Sequence, residues 1–150
     1  MYSMSWNEFE SLSFELAKKI KSSKKEVDLI ICVSRGGLVL GKILSEILEK
    51  PLAVISAKYI NDKYTIDENI SSLYPIKGDI LLVDDIMEET TNEIVKVIKR
   101  NKQVKTVTLA TLFYRPKGKK LIPDFSINEI QRTMWITFPY QKDCLKENCF

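Results

Sequence analysis

The sequence contains no histidine. That absence removes Ser-His and Cys-His nucleophile activation together with imidazole metal ligation, and it leaves carboxylates, Lys, Arg and a bound metal to do any proton or charge work. Arginine is scarce as well: Arg35, Arg100, Arg115 and Arg132 stand against 19 lysines. Each of the four is a place to look for a rigid fork of donors in use rather than a point charge. Cysteine is limited to Cys32, Cys144 and Cys149, an odd number. With no apolar leader at the N-terminus, the expectation is a reducing cytoplasm and not a secreted disulfide scaffold. Cys144 and Cys149, without further Cys or His, do not make a zinc site. No apolar run approaches a membrane span. Neither sign of charge dominates, 23 basic residues facing 20 acidic ones for a net +3. That is too small to argue for nucleic acid and too mixed for a polybasic membrane anchor.

What is present is the composition of a packed globule, 45% hydrophobic and 29% charged with five Gly and five Pro, which excludes a disordered tail or a collagen-like polymer. A chain of 150 residues is expected to form a single domain over 1–150. Trp6, Phe9, Leu12, Leu16 and Ile20 lie at helical spacing behind a Ser5/Glu8 capping box, predicting an amphipathic helix. Val27 to Val33 is a continuous, β-branched apolar run of the kind buried on both faces of a parallel sheet. A helical pattern follows from Leu38, closed by Pro51, and a second strand-like run spans Leu52 to Ser56.

Residues 57–75 have no sustained periodicity and are expected to form a mobile excursion with room for short strands. Ile80 to Val83 is a further buried strand ending in Asp84 and Asp85. A helix follows with Ile94, Val95, Val97 and Ile98 inward, then a strand from Val104 to Tyr114. A loop carrying Pro116, Gly118 and Pro123 leads to a short apolar strand, Met134 to Phe138. Alternating strands and helices predict an α/β fold, a mostly parallel twisted sheet with helices on both faces. Ligands bind such sheets beyond the carboxyl ends of the strands.

Two loops at that end carry chemistry. Ser34, Arg35, Gly36 and Gly37 join a buried strand to a helix N-terminus. Glycine lets backbone N–H groups approach an anion, the helix end adds partial positive charge, and Arg35 can fork two phosphate oxygens. The same residues also serve a tight turn that merely needs glycine. In the second loop, two adjacent carboxylates at a strand end require a cation, ribose hydroxyls or nearby donors. Thr90, Thr91 and Asn92 stand where they can cap the next helix or hold a phosphate.

Together these loops resemble the type I phosphoribosyltransferases. ILLVDDI resembles the family's phosphoribosyl pyrophosphate motif, and VSRGGLVLGKIL its pyrophosphate loop. FYRPKGKKLIPDF followed by MWITFPY resembles the base-binding end of xanthine-guanine phosphoribosyltransferases and their archaeal purine relatives. The resemblance implies the family's fold with a flexible flap at about 57–75 and a small C-terminal base-binding hood at about 115–140. It implies Asp84 and Asp85 at the ribose hydroxyls and the Mg²⁺ of the donor, with Asp85 toward the metal, and Glu88 as the proton acceptor or donor beside purine N7. Ser34, Arg35, Gly36 and Gly37 would hold pyrophosphate, and the Ser34–Arg35 bond is a candidate for a cis peptide. The loop from Glu89 through Thr90, Thr91 and Asn92 would hold the 5′-phosphate. Arg115 would contact the base, Trp135 would stack on it, the main chain of Ile136 would lie along its edge, and Lys58 or Lys63 would touch pyrophosphate. The implied partners are phosphoribosyl pyrophosphate and a purine base or nucleotide, in a cytoplasmic dimer or tetramer, with no nucleic acid or membrane.

The implied reaction suits a chain without histidine. Loss of pyrophosphate passes through a ribosyl cation and needs charge neutralised on the leaving group, a positioned base and excluded water. Arg115 only donates hydrogen bonds, which favours a 6-oxopurine (hypoxanthine, guanine or xanthine) over adenine. Trp135 has a second reading, as a core residue of its short strand. The family loop commonly reads aspartate, threonine, glycine, a variable residue and threonine, where this chain has Glu88, Glu89, Thr90, Thr91 and Asn92. Glu89 places an anion beside the expected phosphate, a repulsion of about 4 kcal/mol for unit charges ~4 Å apart at an effective dielectric of ~20. An alternative to the enzyme is therefore a non-catalytic purine-nucleotide-binding or regulatory protein on the same fold; a flavodoxin-like module leaves the tail unexplained.

Overall fold

The computed structural model describes residues 1–116 and 121–149, with side chains as far as residue 146. The elements in chain order are β1 (Tyr2–Ser3), α1 (Trp6–Ser23), β2 (Leu29–Ser34), α2 (Leu38–Leu48), β3 (Leu52–Ile60), β4 (Lys63–Ile66), β5 (Gly78–Met87), α3 (Thr91–Lys99), β6 (Val104–Tyr114), β7 (Phe125–Glu129), β8 (Ile136–Thr137) and α4 (Lys142–Cys149). The main sheet has the order β4-β3-β2-β5-β6-β7, parallel except for β4, which runs antiparallel to β3. This is the α/β architecture expected from the sequence.

The continuous apolar run in β2 has its predicted cause. Leu29 to Val33 are all buried and alternate between two cores. Ile30 and Cys32 pack with Phe9 and Leu16 of α1 and Leu40 and Leu44 of α2. Leu29, Ile31 and Val33 pack with Ile94 and Ile98 of α3. A central strand covered on both faces has no polar side to show. α1 begins behind the predicted capping box, Glu8 N–H donating to Ser5 Oγ and Ser5 N–H to Glu8 Oε2. Trp6, expected on the apolar face, is half exposed at the first turn.

Several boundaries differ from expectation. β5 continues through Asp84 and Asp85 to Met87, because β6 extends to Tyr114 and keeps supplying partners, Asp84 opposite Thr111 and Met87 opposite Tyr114. β2 pairs with β5 only as far as Cys32 and Val83, so the last turn of β5 projects past its other neighbour. The excursion at 57–75 contains a hairpin: β3 runs on to Ile60, pairs with β4, and turns at Asn61 and Asp62, both at positive φ. Two such residues are the signature of a tight hairpin turn that matches strand twist. β1, β7 and α4 were not expected, and the predicted strand Met134 to Phe138 shrinks to β8, which pairs in parallel with β1 away from the main sheet. Gly118, residues 117–120 of the expected hood, and the side chain of Cys149 lie outside the described residues. Among the described residues no helix is long and apolar enough to cross a membrane.

Candidate active site

The projecting end of β5 is where the two loops meet. β2 ends at Ser34 and the chain turns across the space that a longer β2 would fill. Its Ser34–Arg35 peptide is cis, as the resemblance implied. Gly36 and Gly37 are required there by contact. A Cβ on Gly36 would sit 2.7 Å and 2.8 Å from the two carboxylate oxygens of Asp85, and one on Gly37 would sit 2.7 Å from the Val83 carbonyl and 2.9 Å from that of Val33. The tight turn is thus present, and close packing on β5 brings the loop backbone against the acid pair. Gly37 is buried, its N–H bonded to Val33 O at 2.8 Å, while Arg35 is exposed.

Asp84 and Asp85 are withdrawn from water, Asp85 to 8% exposure, and among the described residues no Lys or Arg pairs with either. Asp85 Oδ1 accepts from Ile86 N–H at 2.8 Å and Oδ2 from Tyr140 Oη at 2.6 Å. Asp84 Oδ1 accepts from Asp85 N–H at 2.9 Å. Burial raises both carboxyls above the usual range, and for Asp84 the charge of Asp85 adds to it. An anionic pair without a cation is incomplete, and its hard oxygen donors suit a cation or sugar hydroxyls. Among the described residues no cluster of three or more acidic, Cys or His side chains can hold a metal alone, so a cation here would share its ligands with a substrate. Cys32 lies under the site in β2, its thiol pushed up to about 11 by burial, which makes it packing and not a nucleophile.

Asp84, Asp85, Ile86, Glu88, Thr90 and Thr91 line a cavity of about 280 Å³ with Ser34, Arg35, Gly36 and Lys58. An adjoining hollow of about 530 Å³ shares Ser34, Arg35 and Lys58. Of the two candidate lysines, Lys58 lines the cleft, whereas Lys63 sits opposite Ile60 at the tip of the hairpin. Among the described residues, a larger hollow of about 650 Å³ between α1 and the end of β7 has no Lys or Arg in its lining, unlike the smaller cleft with Arg35 and Lys58.

The loop after β5 is wound tightly. N–H groups of Thr91, Asn92 and Glu93 donate to the carbonyls of Glu88, Glu89 and Thr90 at 2.9, 3.0 and 3.1 Å. These amides are therefore already bonded, and Thr90 at the N-cap makes no side-chain capping bond, so capping is not the role its hydroxyl takes here. Glu89 is half-buried and forms no ion pair among the described residues.

Past the end of β6, Arg115 Nη1 donates to Glu88 Oε1, and Nη2 donates to Met134 O at 2.8 Å. Its Nε is buried without an acceptor among the described residues. Trp135 is 64% exposed, which disposes of the core reading and leaves a ring face open. Trp135 and Thr137 carbonyls accept from Tyr2 and Met4, so strand alternation turns the peptide groups of Ile136 to the opposite edge, while its side chain is buried. Tyr140, beside the acid pair, carried no signal in the sequence, because a Tyr two residues after a buried Phe138 looks like packing.

A family model for the phosphoribosyl transferase domain matches residues 5–146. A purine phosphoribosyltransferase from Pyrococcus horikoshii Ot3 is 28% identical, with a TM-score of 0.78 over 94% of this chain and 93% of that one. A xanthine-guanine-hypoxanthine phosphoribosyltransferase from Helicobacter pylori shares the fold at 24% identity and a TM-score of 0.78, covering 99% of each chain. So does a hypothetical protein from Neisseria gonorrhoeae with bound ppGpp, at 20% identity and a TM-score of 0.71, over 98% of this chain and 94% of that one.

Proposed function

The chain belongs to the phosphoribosyl transferase domain family, and we propose that it is a purine phosphoribosyltransferase, moving the 5-phosphoribosyl group from phosphoribosyl pyrophosphate to a 6-oxopurine with release of pyrophosphate. The observation that carries this reading is the packing of Gly36 on the Asp85 carboxylate. It joins an anion-binding loop to a paired-acid strand end, which are the two halves of a phosphoribosyl pyrophosphate site.

In this reading residues 1–150 act as one domain, with residues of about 57–75, which include the outer part of the β3–β4 hairpin, as the flap and residues 115–140 as the hood. Arg35, Lys58 and the backbone of Ser34 to Gly37 hold the pyrophosphate and neutralise the charge that builds on it as the ribosyl bond breaks. Asp84 and Asp85 orient the ribose hydroxyls. Asp85 would hold Mg²⁺ bound with the donor, and the ion would supply positive charge at the leaving group. Thr90, Thr91 and Asn92 supply hydroxyl and amide groups to the 5′-phosphate, and Glu89 tempers that contact. Glu88 accepts the N7 proton as the new bond forms at N9. Arg115 donates to the 6-oxo group and has no acceptor to offer a 6-amino group. Trp135 stacks on the ring, and the main chain of Ile136 reads its edge. Closure of the flap excludes water from the ribosyl cation. A cytoplasmic homo-oligomer, dimer or tetramer, is the expected assembly, with no role for nucleic acid or membrane.

The test is incubation with Mg²⁺, phosphoribosyl pyrophosphate and, separately, hypoxanthine, guanine, xanthine and adenine, following nucleotide formation. Monophosphate is expected from 6-oxopurines and none from adenine. Glu89 and Thr90 favour a second reading, a nucleotide-binding regulator on the same fold, and a fold neighbour with bound ppGpp is consistent with it. Saturable nucleotide binding without product from any base would establish that reading in place of the enzyme.

A further inference from the structure

We propose that Tyr140 is a positioning residue, whose hydroxyl fixes the Asp85 carboxylate in the orientation the donor site needs and ties it to the base-binding segment. The inference rests on the donor-site reading above. Asp85 is held on three sides. Ile86 N–H takes Oδ1, Tyr140 Oη takes Oδ2 at 2.6 Å, and the Gly36 backbone closes over both oxygens. With two donors at opposite oxygens, the carboxylate has one rotamer that satisfies it.

Tyr140 is itself fixed. Its ring stacks on that of Phe138 with centroids 5.4 Å apart and planes 10° apart, and meets Phe9 of α1 edge-on at 5.3 Å. Phe138 is fully buried, its N–H bonded to Gln141 Oε1 at 3.0 Å. The hydroxyl is therefore aimed by the core on the α1 side of the sheet and not by a solvent-exposed rotamer. A few residues earlier the same segment presents Trp135 and the free edge of Ile136, so one continuous stretch carries the base platform at one end and the clamp on the acid pair at the other. A tyrosine that only filled the core would have no reason to spend its proton on this one carboxylate.

Tyr140→Phe keeps the ring and removes the bond. In the full chain we expect phosphoribosyl pyrophosphate, titrated calorimetrically with Mg²⁺, to bind about tenfold more weakly. KM for hypoxanthine should change less than twofold, Tm should fall by no more than a few degrees, and a crystal structure of the variant should show the Asp85 carboxylate turned from Ile86 N–H. Unchanged donor affinity, or equal losses for donor and base, would overturn the proposal. Failure of the unsubstituted chain to bind the donor would instead overturn the proposed function. The orientation of Asp85 in the variant would still decide whether Tyr140 positions it, an unmoved carboxylate counting against.

Discussion

Glu88 and Arg115 form an ion pair between the end of β5 and the end of β6, with both side chains largely withdrawn from solvent. In the proposed function these are the residues for N7 and O6 of the purine, so a base bound as proposed would share the guanidinium with Glu88. Met134 O holds the other end of the fork.

Separate losses follow from separate roles. Arg115→Ala leaves Glu88 partly buried without its partner and removes the O6 donor. KM for 6-oxopurines is expected to rise at least tenfold, with Tm lowered by a few degrees. Glu88→Gln keeps a partner for Arg115 but cannot accept a proton, and kcat should fall about a hundredfold. Steady-state kinetics with both substrates varied checks each; a Glu88→Gln enzyme with unchanged kcat would remove Glu88 from the proton transfer.

Trp135→Ala should weaken purine binding about tenfold, the usual worth of a base on an aromatic face, and leave donor binding and Tm unchanged, because the ring is mostly exposed. Calorimetric titration of nucleotide and of phosphoribosyl pyrophosphate separates the two. A collapse of Tm would return Trp135 to a packing role.

Glu89→Thr removes, from the loop expected to hold the 5′-phosphate, an anion that forms no ion pair among the described residues. Donor affinity should rise about tenfold or more, the Coulomb term at 4 Å allowing considerably more before solvent screening. If affinity stays the same, the carboxylate points to solvent and the loop departs from its family for another reason.

Asp84 binds its proton more tightly folded than unfolded, since burial and the neighbouring Asp85 raise it. Between the ordinary carboxyl range and its folded value the native state therefore carries the extra proton, and stability falls as pH rises. Asp84→Asn should raise Tm near neutral pH, by ~3 °C for each kcal/mol gained, and flatten the acidic side of the Tm profile. Scanning calorimetry from about pH 4 to 8 measures both. A lower Tm at neutral pH would mean that the ionised pair is already compensated in the free chain.

Much of this site was legible because its residues break local rules. Asp84 and Asp85 interrupt an apolar strand, Gly36 and Gly37 follow another, and Arg115 is one of four arginines in a lysine-rich chain. The continuation of β5 past its aspartates was not legible. Its partners come from β6, and no pattern within Asp84 to Met87 records that. β7 left a signal, Phe125 and Ile127 alternating with Ser126 and Asn128 and packing on the α1-side core, but five residues behind a proline-bearing loop are too short a run to stand out. The hairpin at Asn61 and Asp62 did leave a signal, two residues tolerant of positive φ between segments of similar length, but the polar character of β4 masked the strands beside it.

The pairing of Tyr2 and Ser3 with Ile136 and Thr137 bears on the order of assembly during synthesis. β1 is synthesised well ahead of its partner, which comes more than 130 residues later, a span that follows from its register. The strands of the parallel sheet are complete by Glu129, whereas the segment carrying Trp135 and Tyr140 follows all of them. A truncation between Glu129 and Ile136 would keep every strand of the main sheet and leave β1 without its mate.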